Sequence, residues 1–300
     1  MKKLSVLLLT LALMLLLAGC GKSEAVKSAE ALIDAIGEVT LDSSSAILKA
    51  ENAVAALSAE DLDTLDGAET LQAARDSYDA LVIVNLIDNM GEVTLSSKDT
   101  IQTIREKYDA ASPEAQAAVT NYAAFQDAEA TYQALEEAAA EEMRAAGQEA
   151  LGRMRIEEDK VRQAKFYYPN NIPRYINDRT YALCYVGKTA SSTWVRIVYD
   201  YVGSDWIFWD ELYFQIDGEM YSRSISYFDI ERDNQAYKVW EYIDFTAQSS
   251  DLELFAAIAD SDEAIIRFQG DSGRYDLTVS QADKDAIRDA LAAYEYLRSE

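Results

Sequence analysis

Apolar positions in the first half of the chain recur at helical spacing. Leu71, Ala74, Tyr78 and Leu81 follow one another at intervals of three, four and three, and Phe125, Ala128, Tyr132 and Leu135 repeat those intervals. Each set lays one apolar stripe along a helix. The sets stand 54 residues apart, and the offset extends further. Leu32-Ile33-Asp34 recurs as Leu86-Ile87-Asp88, and Gly37-Glu38-Val39-Thr40-Leu41 as Gly91-Glu92-Val93-Thr94-Leu95. A fixed period of this size marks a repeated supersecondary unit. Each copy, 28–81 and 82–135, predicts three helices. The first closes at Gly37 or Gly91, residues suited to the left-handed position after a helix. The second opens at a serine-rich cap, with Asp99 three residues after Ser96. The third opens at Ser58 in copy one and at Ser112-Pro113 in copy two, where proline fits a first helical turn. No turn signal separates Leu81 from Leu86. The third helix of copy one is therefore expected to run into the first helix of copy two, making a stiff rod. From Tyr122 to about Ala164 the pattern predicts one long helix, whose part beyond the repeats is an extension over 136–165.

The pattern changes near residue 166. Of 31 aromatic residues, 26 lie in 166–300, and Pro169 and Pro173 punctuate the transition. Strands are predicted at 180–186, 193–202, 206–216, 219–227, 236–245, 263–269 and 275–279. Asp217-Gly218 signals a tight hairpin. Val239, Glu241, Ile243 and Phe245 alternate with Trp240, Tyr242 and Asp244, so one face of that strand is not purely apolar. A short helix over 251–259 and a final helix capped by Ser280 complete the domain. The fold class expected is α+β and multidomain: all-α repeats and a long helix, then an antiparallel, β-rich α+β domain over 166–300.

At the N-terminus, Lys2-Lys3 precede an apolar run from Leu4 to Leu17 that ends in Leu17-Ala18-Gly19-Cys20. A basic start, a short apolar core and small residues describe a secretory signal over 1–19. The run is short for a membrane-spanning helix of about 20 apolar residues. Its ending resembles the lipobox of bacterial lipoproteins. The resemblance implies cleavage after Gly19 and a diacylglycerol thioether on Cys20, followed by a tether over 20–27. It places the protein at the extracytoplasmic face of the cell membrane. The chain carries 53 acidic against 27 basic residues; Lys2 and Lys3 fall in the leader, so the remainder is 28 net negative. Such a polyanion repels nucleic-acid phosphates and anionic bilayer surfaces alike. The membrane partner is therefore engaged through the lipid rather than through charge.

The repeats are similar to helical modules of Gram-positive surface proteins and lipoproteins. Tyr108-Asp109-Ala110 and Val119-Thr120-Asn121-Tyr122 through Ala128-Glu129 carry the likeness; copy one has Gly67 in place of the asparagine. The resemblance implies a spacer or interaction module and carries over no catalytic residue.

The chain contains no histidine, which removes Ser-His-Asp triads, Cys-His pairs and imidazole metal sites. No phosphate loop, Cys-x-x-Cys or nucleophile-elbow motif is present, and no cofactor or metal is implied. Asp61, Asp63 and Asp66-Gly67 glance at a calcium loop, but Leu65 occupies a ligand position. Cys184 sits in the apolar run Ala182–Val186 and reads as a small core residue. Acid beside aromatic remains: Asp205, Asp210 and Glu211 flank Trp206, Trp209 and Tyr213. Rings stack on sugar faces and carboxylates bond hydroxyls or move protons, so Trp206, Trp209, Tyr213 and Asp210 are the candidate ligand-binding residues, set against the plainer expectation that these aromatics pack in the core and at its edge. The functional expectation is a non-catalytic, lipid-anchored surface protein whose helical stalk presents a binding domain. The alternative is a carbohydrate- or peptide-binding lipoprotein for uptake or contact with a cell-wall glycan or protein; an acid–base glycoside hydrolase comes third.

Overall fold

The computed structural model describes residues 22–300, so the leader and Cys20 lie outside the described residues. The fold is α+β: helices over 24–152, then antiparallel sheets with two further helices. By compactness the chain divides into one unit ending at Glu137 and a second spanning Ala138–Glu300.

In the first unit, the helices are α1 (Glu24–Asp34), α2 (Ser44–Ala55), α3 (Ala59–Leu62), α4 (Ala68–Asp88), α5 (Lys98–Ala110), α6 (Pro113–Ala118) and the start of α7 (Tyr122–Gly152). The period of 54 is kept in three dimensions. Leu41–Ser43 and Leu95–Ser97 both form single 3-10 turns, each closed by a reciprocal Thr–Ser capping box. Ser58 and Ser112 cap equivalent helices. As the missing turn signal requires, α4 runs unbroken from copy one into copy two. Where copy two has Asn121, whose amide bonds Val84 O and the Asp88 carboxylate, copy one has Gly67 at φ +89°.

Ile33, Ile47, Leu71 and Ala74 form the core of copy one; Ile83, Ile104, Val119 and Phe125 form that of copy two. Tyr78 and Tyr132 occupy matching places but are only half-buried at the core edge, and Leu81 is exposed. The stripe is thus narrower than its 3-4-3 spacing suggests.

One feature of the repeat is reversed. In copy one, Arg75 Nε and Nη2 donate to Glu51 at 2.7 and 2.6 Å. In copy two the acid and base have changed places: Arg105, equivalent to Glu51, makes the same two-pronged pair with Glu129, equivalent to Arg75. Charge complementarity is kept while each residue is inverted. Glu51→Arg should therefore cost about 1 kcal/mol by setting two guanidinium groups together, and adding Arg75→Glu should recover part of that loss in thermal melts.

The second unit corrects the expected helical extension over 136–165. Helix α7 ends at Gly152, and β1 (Met154–Asp159) and β2 (Ala164–Pro169) form a hairpin where the long helix was predicted. The charged sequence Arg-Ile-Glu-Glu-Asp-Lys has good helix formers, but β2 pairs with β3 on its other side, and this tertiary pairing overrides local propensity. The sheet domain accordingly begins before residue 166. The last turns of α7 belong with it. Ala150 is buried with Tyr167, Val186, Ala293 and Leu297, and at Gly147 a Cβ would collide with Tyr296.

A six-stranded sheet has the order β1-β2-β3-β4-β8-β7, with β3 Tyr181–Lys188, β4 Thr193–Gly203, β7 Glu231–Gln235 and β8 Lys238–Thr246. A four-stranded sheet has the order β10-β9-β5-β6, with β5 Trp209–Ile216, β6 Glu219–Ser224, β9 Ala264–Gly270 and β10 Arg274–Thr278. Every pairing is antiparallel. The polar edge strand β7 has no apolar alternation and was not predicted. Asp217 and Gly218, both at positive φ, make the expected two-residue turn between β5 and β6. Helices α8 (Ser249–Asp260) and α9 (Gln281–Ser299) complete the unit. Tyr199 meets Phe214 of β5, Phe245 of β8 and Phe255 of α8, which fixes the inner face of the large sheet. Cys184 lies on that face, fully buried, and burial pushes its thiol pKa up.

Candidate functional site

The four residues expected to bind ligand are not brought together. Trp209 is completely buried, edge-on to Phe268 with its indole N–H donated to Glu241 O at 3.1 Å; it is core, not binding surface. Asp210 is the extra residue of a β-bulge between Trp209 and Glu211, and its main-chain oxygen accepts from Ile225 N. Trp206 stacks on Phe208 at 5.8 Å in the preceding loop. Tyr213 alone reaches a concave surface, on the outer face of the four-stranded sheet beside Gln215, Gln269 and the Arg267–Asp276 pair. Its hydroxyl is donated to Glu211 Oε2 at 2.6 Å. Neighbours in sequence alternate between the faces of a strand, and the bulge shifts the phase once more.

The chemistry gathers instead on the outer face of the six-stranded sheet. Strand pairing sets Tyr185 opposite Arg196, Val198 opposite Asp244, and Asp200 between Tyr181 and Tyr242. On this face Phe166, Tyr168, Tyr185, Trp194, Arg196 and Asp244 line a cavity of about 390 Å³. Its rings meet at steep angles: Phe166 stands 82° to Trp194 at 6.2 Å and 63° to Tyr185 at 6.2 Å. Tyr168 stacks on Tyr185 at 4.6 Å, and Arg155 caps Tyr168 at 4.9 Å. Trp194 can lie this close to β3 because its partner is Gly187, where a Cβ would collide with the indole.

A polar corner completes the cradle. Arg196 Nε donates to Asp244 Oδ1 at 2.8 Å and its Nη2 to Asp244 O at 2.8 Å, while Tyr185 donates to Asp244 Oδ2 at 2.7 Å. Burial first, and then the Asp244 charge, raise the Tyr185 pKa, so its phenol stays a proton donor at neutral pH. Aromatic walls beside a fixed carboxylate–guanidinium–phenol network offer both stacking and oriented hydrogen bonds.

Part of this face was legible. The mixed alternation of Trp240, Tyr242 and Asp244 correctly marks it as not purely apolar. Phe166 and Tyr168 were missed as site residues because reading 154–164 as helix hid the strand that aligns them with β3.

No family model, curated protein or solved structure matches the chain.

Proposed function

We propose that this chain is a lipid-anchored, non-catalytic binding protein of the extracytoplasmic membrane face that holds a saccharide in the aromatic cradle. The observation that carries the reading is the cradle itself: half-buried Phe166, Tyr168 and Trp194 beside the Arg196–Asp244–Tyr185 corner. Flat apolar C–H faces of sugars stack on such rings, and ring hydroxyls need both donors and acceptors nearby. The Leu17–Cys20 sequence supports anchoring, and the helical repeats serve as a spacer in this reading. A diacyl chain at Cys20 supplies two acyl chains, enough for stable attachment.

Binding is tested with the full chain in detergent, titrated with soluble β-linked hexose and hexosamine oligosaccharides. Tryptophan fluorescence should change on binding, and Trp194→Ala should diminish that change and weaken affinity about three- to tenfold, the scale of losing a stacking ring. Unchanged affinity in Trp194→Ala would sink the cradle reading. For the anchor, Cys20→Ser should move the protein out of the membrane fraction or leave it uncleaved. Fractionation and migration like wild type would overturn that part.

A further inference from the structure

We infer that the saccharide taken by the cradle is acidic, a sugar bearing a carboxylate or phosphate, and that Arg162 is the side chain that reads its charge. The inference rests on the saccharide reading above and deepens it. The chain as a whole is strongly acidic, yet residues 153–165 hold five basic and three acidic side chains. This is the β1–β2 hairpin, and its turn supplies one wall of the cradle through Arg162.

The turn is built to present that residue. Asp159 Oδ1 accepts from both Val161 N and Arg162 N at 2.9 Å, and Gln163 adopts a positive φ of 52° before β2 begins. The carboxylate thus fixes the backbone under the arginine, an Asx-type turn. The Arg162 side chain itself is 78% exposed; its nearest carboxylate is Asp159 at 3.7 Å, beyond hydrogen-bond range. The other charged groups of the wall are committed to each other. Arg196 and Asp244 pair at 2.8 Å, and Tyr185 occupies the second oxygen of Asp244. Of the charged side chains lining the cavity, among the described residues, Arg162 alone is held by no side-chain hydrogen bond, only by the looser, solvent-exposed ion pair with Asp159, and it is positive. A neutral sugar leaves this guanidinium in water. A carboxylate or phosphate on the ring offers the pair of oxygens that the planar guanidinium fork fits best.

An exposed guanidinium at the rim gives a modest preference, weakened by salt. The test uses the full chain in detergent and three oligosaccharides of equal length: neutral, uronic-acid-containing and phosphorylated. At low ionic strength at least one acidic form should bind about three- to tenfold more tightly than the neutral one, a preference that shrinks at high salt. The acidic arm that gains identifies the group recognised. Arg162→Gln, at a solvent-exposed turn, should bring the ratio of acidic to neutral affinity down to about one at low ionic strength. Equal affinity for all three in the wild type would overturn the inference, as would a preference that survives in Arg162→Gln, while leaving the saccharide reading standing. Failure of all three to bind would overturn the saccharide reading and this inference with it.

Discussion

Trp209→Ala should destabilise the sheet unit by about 3–5 kcal/mol, the range for deleting a fully buried aromatic ring where the site cannot collapse. The ring fills the space between the two sheets against Phe268, and its N–H bonds Glu241 O. The neighbourhood is stiff. Glu241 is itself completely buried; its Oε1 accepts from Ile207 N and Phe208 N, and its Oε2 from Arg232. This carboxylate pins the loop leading into β5, so the walls cannot easily close over a lost indole. Trp209→Phe should cost less, because it keeps much of the packing and leaves one buried carbonyl without its donor, on the order of 1–3 kcal/mol. Urea unfolding of the two variants distinguishes core from binding surface. If Trp209→Ala unfolds like wild type but loses saccharide binding, the residue belongs to the site and the present assignment is wrong.

The contrast between Trp209 and Trp194 shows which parts of the fold the sequence reveals. Local signals are short-range physics, and they were legible: the serine caps at 58 and 112, the glycine stops, the Asp217-Gly218 turn and the helix through Leu81 to Leu86 all form. The period of 54 is repeated local physics and was legible for the same reason. Which face of a strand a ring occupies depends on pairing partners far along the chain. Trp206, Trp209 and Tyr213 are close in sequence, yet they divide among a loop, the core and an outer face. Phe166, Tyr185, Trp194 and Asp244 span 79 positions and converge because β2, β3, β4 and β8 are neighbours. No motif announces such a convergence. The 154–164 segment failed in the same way: its helix-forming residues obey their propensity only until β3 offers β2 an edge.

Asp200→Asn should make the protein more stable at neutral pH. Asp200 lies on the outer sheet face, wholly buried, between Tyr181 of β3 and Tyr242 of β8, and neither carboxyl oxygen has a hydrogen-bond partner among the described residues. Burial pushes its pKa up to about 9, and the attraction of Arg179, which lies over the Tyr181 ring at 5.6 Å, only partly opposes this. Asp244 on the same face adds no positive charge to help. Folded Asp200 therefore holds its proton at pH 7, whereas the unfolded residue releases it near pH 4. Between about pH 4 and 9 the folded state binds one proton more than the unfolded state, so this group lowers stability as pH rises. Asparagine keeps the shape and cannot ionise. The variant should match wild type near pH 4 and exceed it on the order of 2–4 kcal/mol at pH 7, with the gap levelling off above about pH 9. Paired urea titrations at pH 4.5, 7 and 8.5 read the difference directly and cancel the contribution of every other titrating group. Parallel pH profiles would mean that Asp200 ionises freely in the folded protein, through a hydrogen-bonding partner that compensates its burial. A widening gap would establish a neutral carboxylic acid within the sheet face that also carries the cradle.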